Sequence, residues 1–228
     1  MIKLKKFFLV LFPLISFGCL NYIQDVNLYA DGSGFMKIRY WMKSSGNENS
    51  IIAEKIGLFD ADSLRSSFQS PYNTIENIEV YTDSTDSTIH AIIEFTFPSI
   101  DSLNNHKSFK DYRFSLKDGA AGQKVFSQFI PPIATGFGVN RGDFNIQYKY
   151  TFGGKVVTHN AQDNEGRTLI WNYTLDDIGS GKTILVTFTP FKLKQTPYWI
   201  YVLAGLVLLV VISRSFDFES MCHSYRCR

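Results

Sequence analysis

Nine residues from Phe144 to Phe152 alternate without a break. Phe144, Ile146, Tyr148, Tyr150 and Phe152 are apolar or aromatic; Asn145, Gln147, Lys149 and Thr151 between them are polar. Only an extended chain collects every second side chain on one face, so this stretch predicts a strand with one side buried. Four other stretches repeat the pattern: Met36 to Met42, Ile89 to Phe97, Leu169 to Leu175, and Thr183 to Thr189. Weaker strands are expected at 22–30, 78–82, 112–117, 123–130 and 154–159. One-sided strands leave each sheet with an oily face that must be covered. The expected fold is therefore α+β and mainly β, with antiparallel sheet packed on a few short helices, or a sandwich, plus one C-terminal transmembrane helix.

Turn chemistry orders these strands. Asp31-Gly32-Ser33-Gly34 is expected to close a hairpin, since glycine accepts positive φ, and Gly153-Gly154 to close another between 144–152 and 155–159. Helical signals are few. Asp60 or Asp62 is placed to cap a short helix with Leu64 and Phe68 on one face, stopped before Pro71. Ser99 is placed to cap another with Ile100 and Leu103 inward. Residues 49–56 are ambiguous.

The two ends read differently. Lys3, Lys5 and Lys6 precede an apolar stretch, Phe7 to Phe17, and Gly18 closes it, which is the layout of a secretory signal over residues 1–18. Cys19 follows at once and resembles the lipobox cysteine of bacterial lipoproteins, whose thiol carries acyl chains. Ser16 stands where that motif usually has an aliphatic residue; ordinary cleavage after Gly18 would leave the same N-terminus without lipid. Tyr198 to Ile212 is a stretch of fifteen residues with no charge, with Tyr198, Trp199 and Tyr201 at one end. Residues 197–213 make about 25 Å of helix, enough to cross a thin bilayer. A buried helix of a soluble core is the alternative. The chain divides into a signal (1–18), an exported β-rich domain (19–191), a span (197–213) and a cytoplasmic tail (214–228).

Charge excludes one class of partner. Lys plus Arg is 23 against 21 Asp plus Glu, and no run of basic residues offers a track for nucleic acid. Motifs of catalysis fail one by one. Gly179-Ser180-Gly181-Lys182-Thr183 looks like the end of a phosphate loop, but Asp176 replaces the required glycine and a strand follows instead of a helix. A hairpin turn is the reading there. His90 is expected on the outer face of its strand beside Glu94, with His106 and His159 at element ends. No two histidines share metal-ligand spacing, so no metal, no cofactor and no catalytic residue is expected. Cys222, His223 and Cys227 make a poor metal site in the tail. The apolar run Phe129-Ile130-Pro131-Pro132-Ile133-Ala134-Thr135-Gly136-Phe137 has no clean period. It is either a buried loop at the core edge or, with Phe129, Ile130, Ile133 and Phe137, the rim of an apolar ligand site or a lipid-contact loop.

Taken together, the chain resembles the LppM-like bacterial envelope lipoproteins. The likeness rests on the signal and Cys19, on Asp25 to Gly34 as strand and Asp-Gly turn, on Gly154-Lys155-Val156-Val157 leading to Leu169-Ile170-Trp171, and on the single C-terminal span. It implies a domain that binds lipid or glycolipid on the exported side of a bacterial cell membrane. No catalytic residue carries over. The expected role is non-enzymatic: a lipoprotein held by an N-terminal acyl anchor and a C-terminal helix, binding lipid, glycolipid or a neighbouring envelope component. The alternatives are an accessory or scaffold subunit of an envelope protein complex, pairing through a sheet edge, and a hydrolase built on His90 or His159.

Overall fold

A computed structural model describes residues 20–44, 57–132, 144–191, 199–209 and 211. The chain forms two compact units, Met1–Phe191 and Lys192–Arg228. Among its described residues the first carries eleven strands: β1 (Leu20–Leu28), β2 (Gly34–Lys43), β3 (Thr74–Asp83), β4 (Thr88–Phe97), β5 (Ser115–Asp118), β6 (Lys124–Ile130), β7 (Phe144–Phe152), β8 (Gly154–His159), β9 (Asp163–Glu165), β10 (Thr168–Tyr173) and β11 (Lys182–Pro190). Among the same residues two short α-helices accompany them, α1 (Ala61–Phe68) and α2 (Leu175–Ile178).

The strands make two sheets. One has seven strands in the order β3-β4-β2-β1-β7-β10-β9, the other four in the order β5-β6-β11-β8. All pairs are antiparallel except β1 with β7, which run parallel from Leu20↔Phe144 to Leu28↔Phe152. The inner face of β7 meets those of β6 and β11. Phe126 packs on Tyr150 and Phe152, and Phe152 on Phe188, at ring distances of 5.0 to 5.6 Å. The rest of the large sheet is covered differently: Phe68 of α1 and Phe109 of the 106–114 turns pack on Phe95 of β4. The fold is thus part sandwich and part helix-on-sheet, and mainly β as expected.

Three connections depart from the sequence reading. The glycine pair at 153–154 does not close a hairpin. β8 pairs with β11, so Gly153 hands the chain from one sheet to the other. The expected strand to Leu175 stops at Tyr173, because Thr174 and Asp177 form a reciprocal capping box that starts α2 and turns Leu175 and Ile178 into the core. The segment 179–183 is consequently the link from α2 to β11 rather than a hairpin turn. Its Gly181, at φ +124°, is obligatory: a Cβ there would meet the Phe129 ring at 2.4 Å. Ser99 caps nothing. The short 3-10 turn Asp101–Asn105 follows Ile100 and has no side-chain cap, whereas Asp60 caps α1 as expected, accepting from the Ser63 N–H at 2.8 Å.

The β1–β2 hairpin at 31–34 forms as expected. Gly34 is needed for close approach: a Cβ would lie 2.3 Å from the Asn27 carbonyl oxygen and 2.6 Å from the Phe97 ring. Gly34→Ala should cost about 1–3 kcal/mol by overpacking. Urea unfolding followed by circular dichroism checks it; an unchanged midpoint would show that the Phe97 ring yields freely.

A polar chain crosses the sandwich interior. Tyr22 Oη donates to Gln24 Oε1 (3.1 Å), Gln24 Nε2 donates to Tyr150 Oη (3.0 Å), and Tyr150 Oη donates to Gln128 Oε1. Gln24 and Gln128 are fully buried. Burial pushes the hydroxyls of Tyr22, Tyr148 and Tyr150 well above the usual tyrosine range, so their protons stay in place as donors.

In the second unit, residues 199–209 and Val211 are helical with exposed apolar side chains. Among the described residues no helix is long and apolar enough to cross a membrane. The ends of the expected span, 197–198 and 212–213, lie outside the described residues, as do the signal and the tail.

Candidate functional site

Register places the outer side chains of the large sheet in rows. One row reads Tyr81, His90, Trp41, Asn21, Asn145 across β3, β4, β2, β1 and β7. The next reads Glu79, Ile92, Arg39, Ile23, Gln147, Asn172. In the first row the rings stack. Tyr81 lies on His90 at 4.8 Å and 1°, and His90 on Trp41 at 5.9 Å and 13°. The His90 side of the Trp41 indole is therefore occupied, and its other side borders a groove.

That groove has a volume of about 470 Å³ and runs over the first residues of β1 and β7 to the N-terminus of α2. Four amides line it, from Asn21, Asn145, Gln147 and Asn172. They pair across strands: Asn145 Nδ2 donates to Asn21 Oδ1 at 3.2 Å, and Gln147 Nε2 to Asn172 Oδ1 at 2.7 Å. An amide offers two N–H donors and two acceptor lone pairs, so each retains capacity for a ligand. The one carboxylate on the wall, Asp177, accepts from the backbone N–H and hydroxyl of Thr174 at 2.8 and 2.7 Å, and these bonds hold its carboxyl below the usual range. The two-way hydrogen bonding of amides beside a half-buried tryptophan suits a polyhydroxylated ligand.

A second hollow of about 300 Å³ lies on the other side of Trp41, lined by Lys37, Arg39, Tyr81, His90 and Ile92. Lys37 Nζ is held by Glu94 Oε1 at 2.6 Å, and this bond keeps the Glu94 carboxyl below its usual range. Arg39 is different: its Nε is buried and has no hydrogen-bond partner among the described residues. Its guanidinium charge, with that of Lys37, also helps hold the Glu94 carboxyl low.

The histidines have structural employment. His106 is buried; its Nδ1 accepts from the Ser108 N–H at 3.0 Å, and its Nε2 faces the Phe68 carbonyl at 3.2 Å. His159 Nδ1 accepts from the Ala161 N–H at 3.1 Å. His90 sits on the outer face, as expected, with Thr88 Oγ1 2.7 Å from its Nε2. This is not a nucleophile–base pair. Thr88 has one hydroxyl proton and gives it to Asp86 Oδ1 at 2.5 Å, so His90 Nε2 is the donor toward Thr88.

Of the site residues expected from sequence, Phe129 and Ile130 are described. Ile130 is fully buried at the end of β6, inside the sandwich. Phe129 is half-buried beneath the Arg113 guanidinium, 5.2 Å from its ring centre. Both belong to a strand, not a loop. Ile133, Phe137 and Cys19 lie outside the described residues. What sequence reasoning missed is the amide groove, whose signal was present: four outward strand positions carry Asn or Gln where surface strands ordinarily carry charges.

No protein-family model matches the chain. No curated protein matches it. Among solved structures it is similar to the NMR structure of the folded domain of LppM from Mycobacterium tuberculosis, at 16% sequence identity and a TM-score of 0.45, with 76% of this chain and 91% of that chain covered.

Proposed function

We propose that the chain is a membrane-held bacterial envelope lipoprotein, without catalytic activity, whose exported domain binds the sugar-bearing headgroup of an envelope lipid in the groove beside Trp41. The observation that carries this reading is one groove lined by four amides and a tryptophan. Sugar hydroxyls both donate and accept, and amides answer both; the C–H face of a sugar ring suits an indole. Arg39 and Lys37, lining the hollow across Trp41, supply positive charge for the phosphate of such a headgroup.

Position supports it too. Asn21 follows Cys19 by two residues, a reach of roughly 7 Å. Acyl chains on Cys19 would therefore enter the bilayer beside the groove, where headgroups of the same leaflet arrive. Phe191 leaves the domain elsewhere: its N–H donates to Gly153 just past the far end of β7. A C-terminal helix over 197–213 completes the anchorage in this reading, leaving 214–228 in the cytoplasm. Pairing with a protein partner through β3 is disfavoured, since that strand carries a bulge between Ile75 and Asn77, with Glu76, Glu79 and Asp83 along it.

The test is native mass spectrometry of the full chain, purified in detergent and offered a bacterial glycolipid extract. The wild type should retain a sugar-bearing lipid. Trp41→Ala and Asn145→Ala should each weaken retention about tenfold, the worth of roughly 1.4 kcal/mol. A chain that retains no glycolipid, or retains it equally in both variants, refutes the reading.

A further inference from the structure

At the distal end of the β3–β4 hairpin, three side chains with metal-ligating atoms come together: Asp83 at the end of β3, Asp86 in the turn and His90 on β4. One carboxylate oxygen from each aspartate and one imidazole nitrogen all lie within 4.8 Å of one another. We propose that this hairpin is a binding site for a divalent transition cation of the zinc or manganese class, independent of the headgroup reading.

Three observations carry it. First, the imidazole is held in place before any cation arrives. Tyr81 and Trp41 stack on it from its neighbouring strands, because Tyr81↔His90↔Trp41 is one register row. A ligand whose ring plane is fixed by packing loses little freedom on binding. Second, the carboxylates are positioned by the turn itself. Asp83 Oδ1 accepts from the Thr85 N–H at 2.8 Å, and Asp86 Oδ1 from the Thr88 N–H at 3.1 Å. Both bonds to Asp86, from the Thr88 N–H and hydroxyl, go to Oδ1, so the turn orients this carboxylate and leaves the lone pairs of its Oδ2 for a cation. Third, Thr88 Oγ1 bridges Asp86 and His90 at 2.5 and 2.7 Å. Its hydroxyl joins a carboxylate to an imidazole that a cation would join more strongly, and in the loaded site it becomes a supporting donor to a ligating carboxylate.

The donor set chooses the cation. Two carboxylates and one imidazole offset the charge of a divalent ion. Nitrogen with oxygen favours zinc, manganese or cobalt over calcium, which takes six to eight oxygens, and the absence of sulfur from this trio disfavours copper(I). Tetrahedral edges of about 3.4 Å follow from bonds near 2.0–2.1 Å, so the three ligand atoms need only close inward. Asp86 is exposed, which leaves the remaining positions open to water.

The experiment uses the full chain in detergent with Cys222→Ser and Cys227→Ser, so that the tail thiols take no zinc. Zinc is titrated by calorimetry, and thermal unfolding is recorded with and without it. One equivalent should bind and raise the unfolding temperature. His90→Gln, Asp83→Asn and Asp86→Asn should each weaken binding at least tenfold and abolish that rise, whereas His159→Gln should change neither. The two aspartate variants preserve shape and test the site even if His90→Gln unsettles the ring stack. Absence of saturable binding, or binding undiminished in Asp83→Asn and Asp86→Asn, overturns the proposal.

Discussion

Trp171→Ala should remove about 3–5 kcal/mol of stability, the usual cost of deleting a buried tryptophan. The indole is completely buried on β10 and meets Tyr150 edge-on at 6.1 Å. Its Nε1 also donates to Asn160 Oδ1 at 3.1 Å. Asn160 in turn accepts from the Leu185 N–H at 2.9 Å and donates to the Thr183 carbonyl at 2.7 Å. Trp171 therefore fills the core and links β10 of the large sheet to β11 of the small one. Against a total stability of about 5–15 kcal/mol, that loss is a large share. Urea unfolding of the full chain in detergent, followed by circular dichroism, measures it. Trp171→Phe should recover much of the packing but leave Asn160 short of a donor. An alanine variant within 1 kcal/mol of the wild type, a bound set roughly by ordinary surface changes, would show that the sheets are held together elsewhere.

Tyr150→Phe should cost about 2–4 kcal/mol although it removes a single oxygen. That oxygen accepts from Gln24 Nε2 and donates to Gln128 Oε1. Both glutamines are fully buried, and neither stranded group has water to replace the hydroxyl. Gln128 is already incompletely served, since its Nε2 has no partner among the described residues. The sign can be checked by a second variant. Replacing the trio together, with Gln24→Leu, Gln128→Leu and Tyr150→Phe, should restore most of the loss because nothing polar is then left unpaired. A triple variant less stable than Tyr150→Phe alone would show that the network, rather than its imperfect satisfaction, supports the core. Denaturant midpoints of the two variants decide between these outcomes.

Local patterning was legible where one side of an element faces the core. The alternation at 144–152 marks β7 to the residue, and the patterns at 36–42 and 89–97 lie within β2 and β4. Asp60 announced α1 by its capping chemistry. The reading failed where local and tertiary demands diverged. Leu175 continued an alternation in sequence, yet the Thr174–Asp177 capping box turned it into a helix. The weaker strand expected over 123–130 forms as β6, so Phe129 and Ile130, read also as the start of an apolar run, end that strand.

Sequence by itself determined that this chain is mainly β, which side of each main strand is oily, and that few helices accompany them. Those properties follow from periods of two and from caps, which act over a few residues. The tertiary structure decided the rest: that β1 lies parallel to β7 across more than a hundred residues of intervening chain, that β8 joins the other sheet, and that Trp41, Asn21, Asn145 and Asn172 line one groove. Pairing between distant strands depends on how two oily faces close over one core, and that closure has no local period to read.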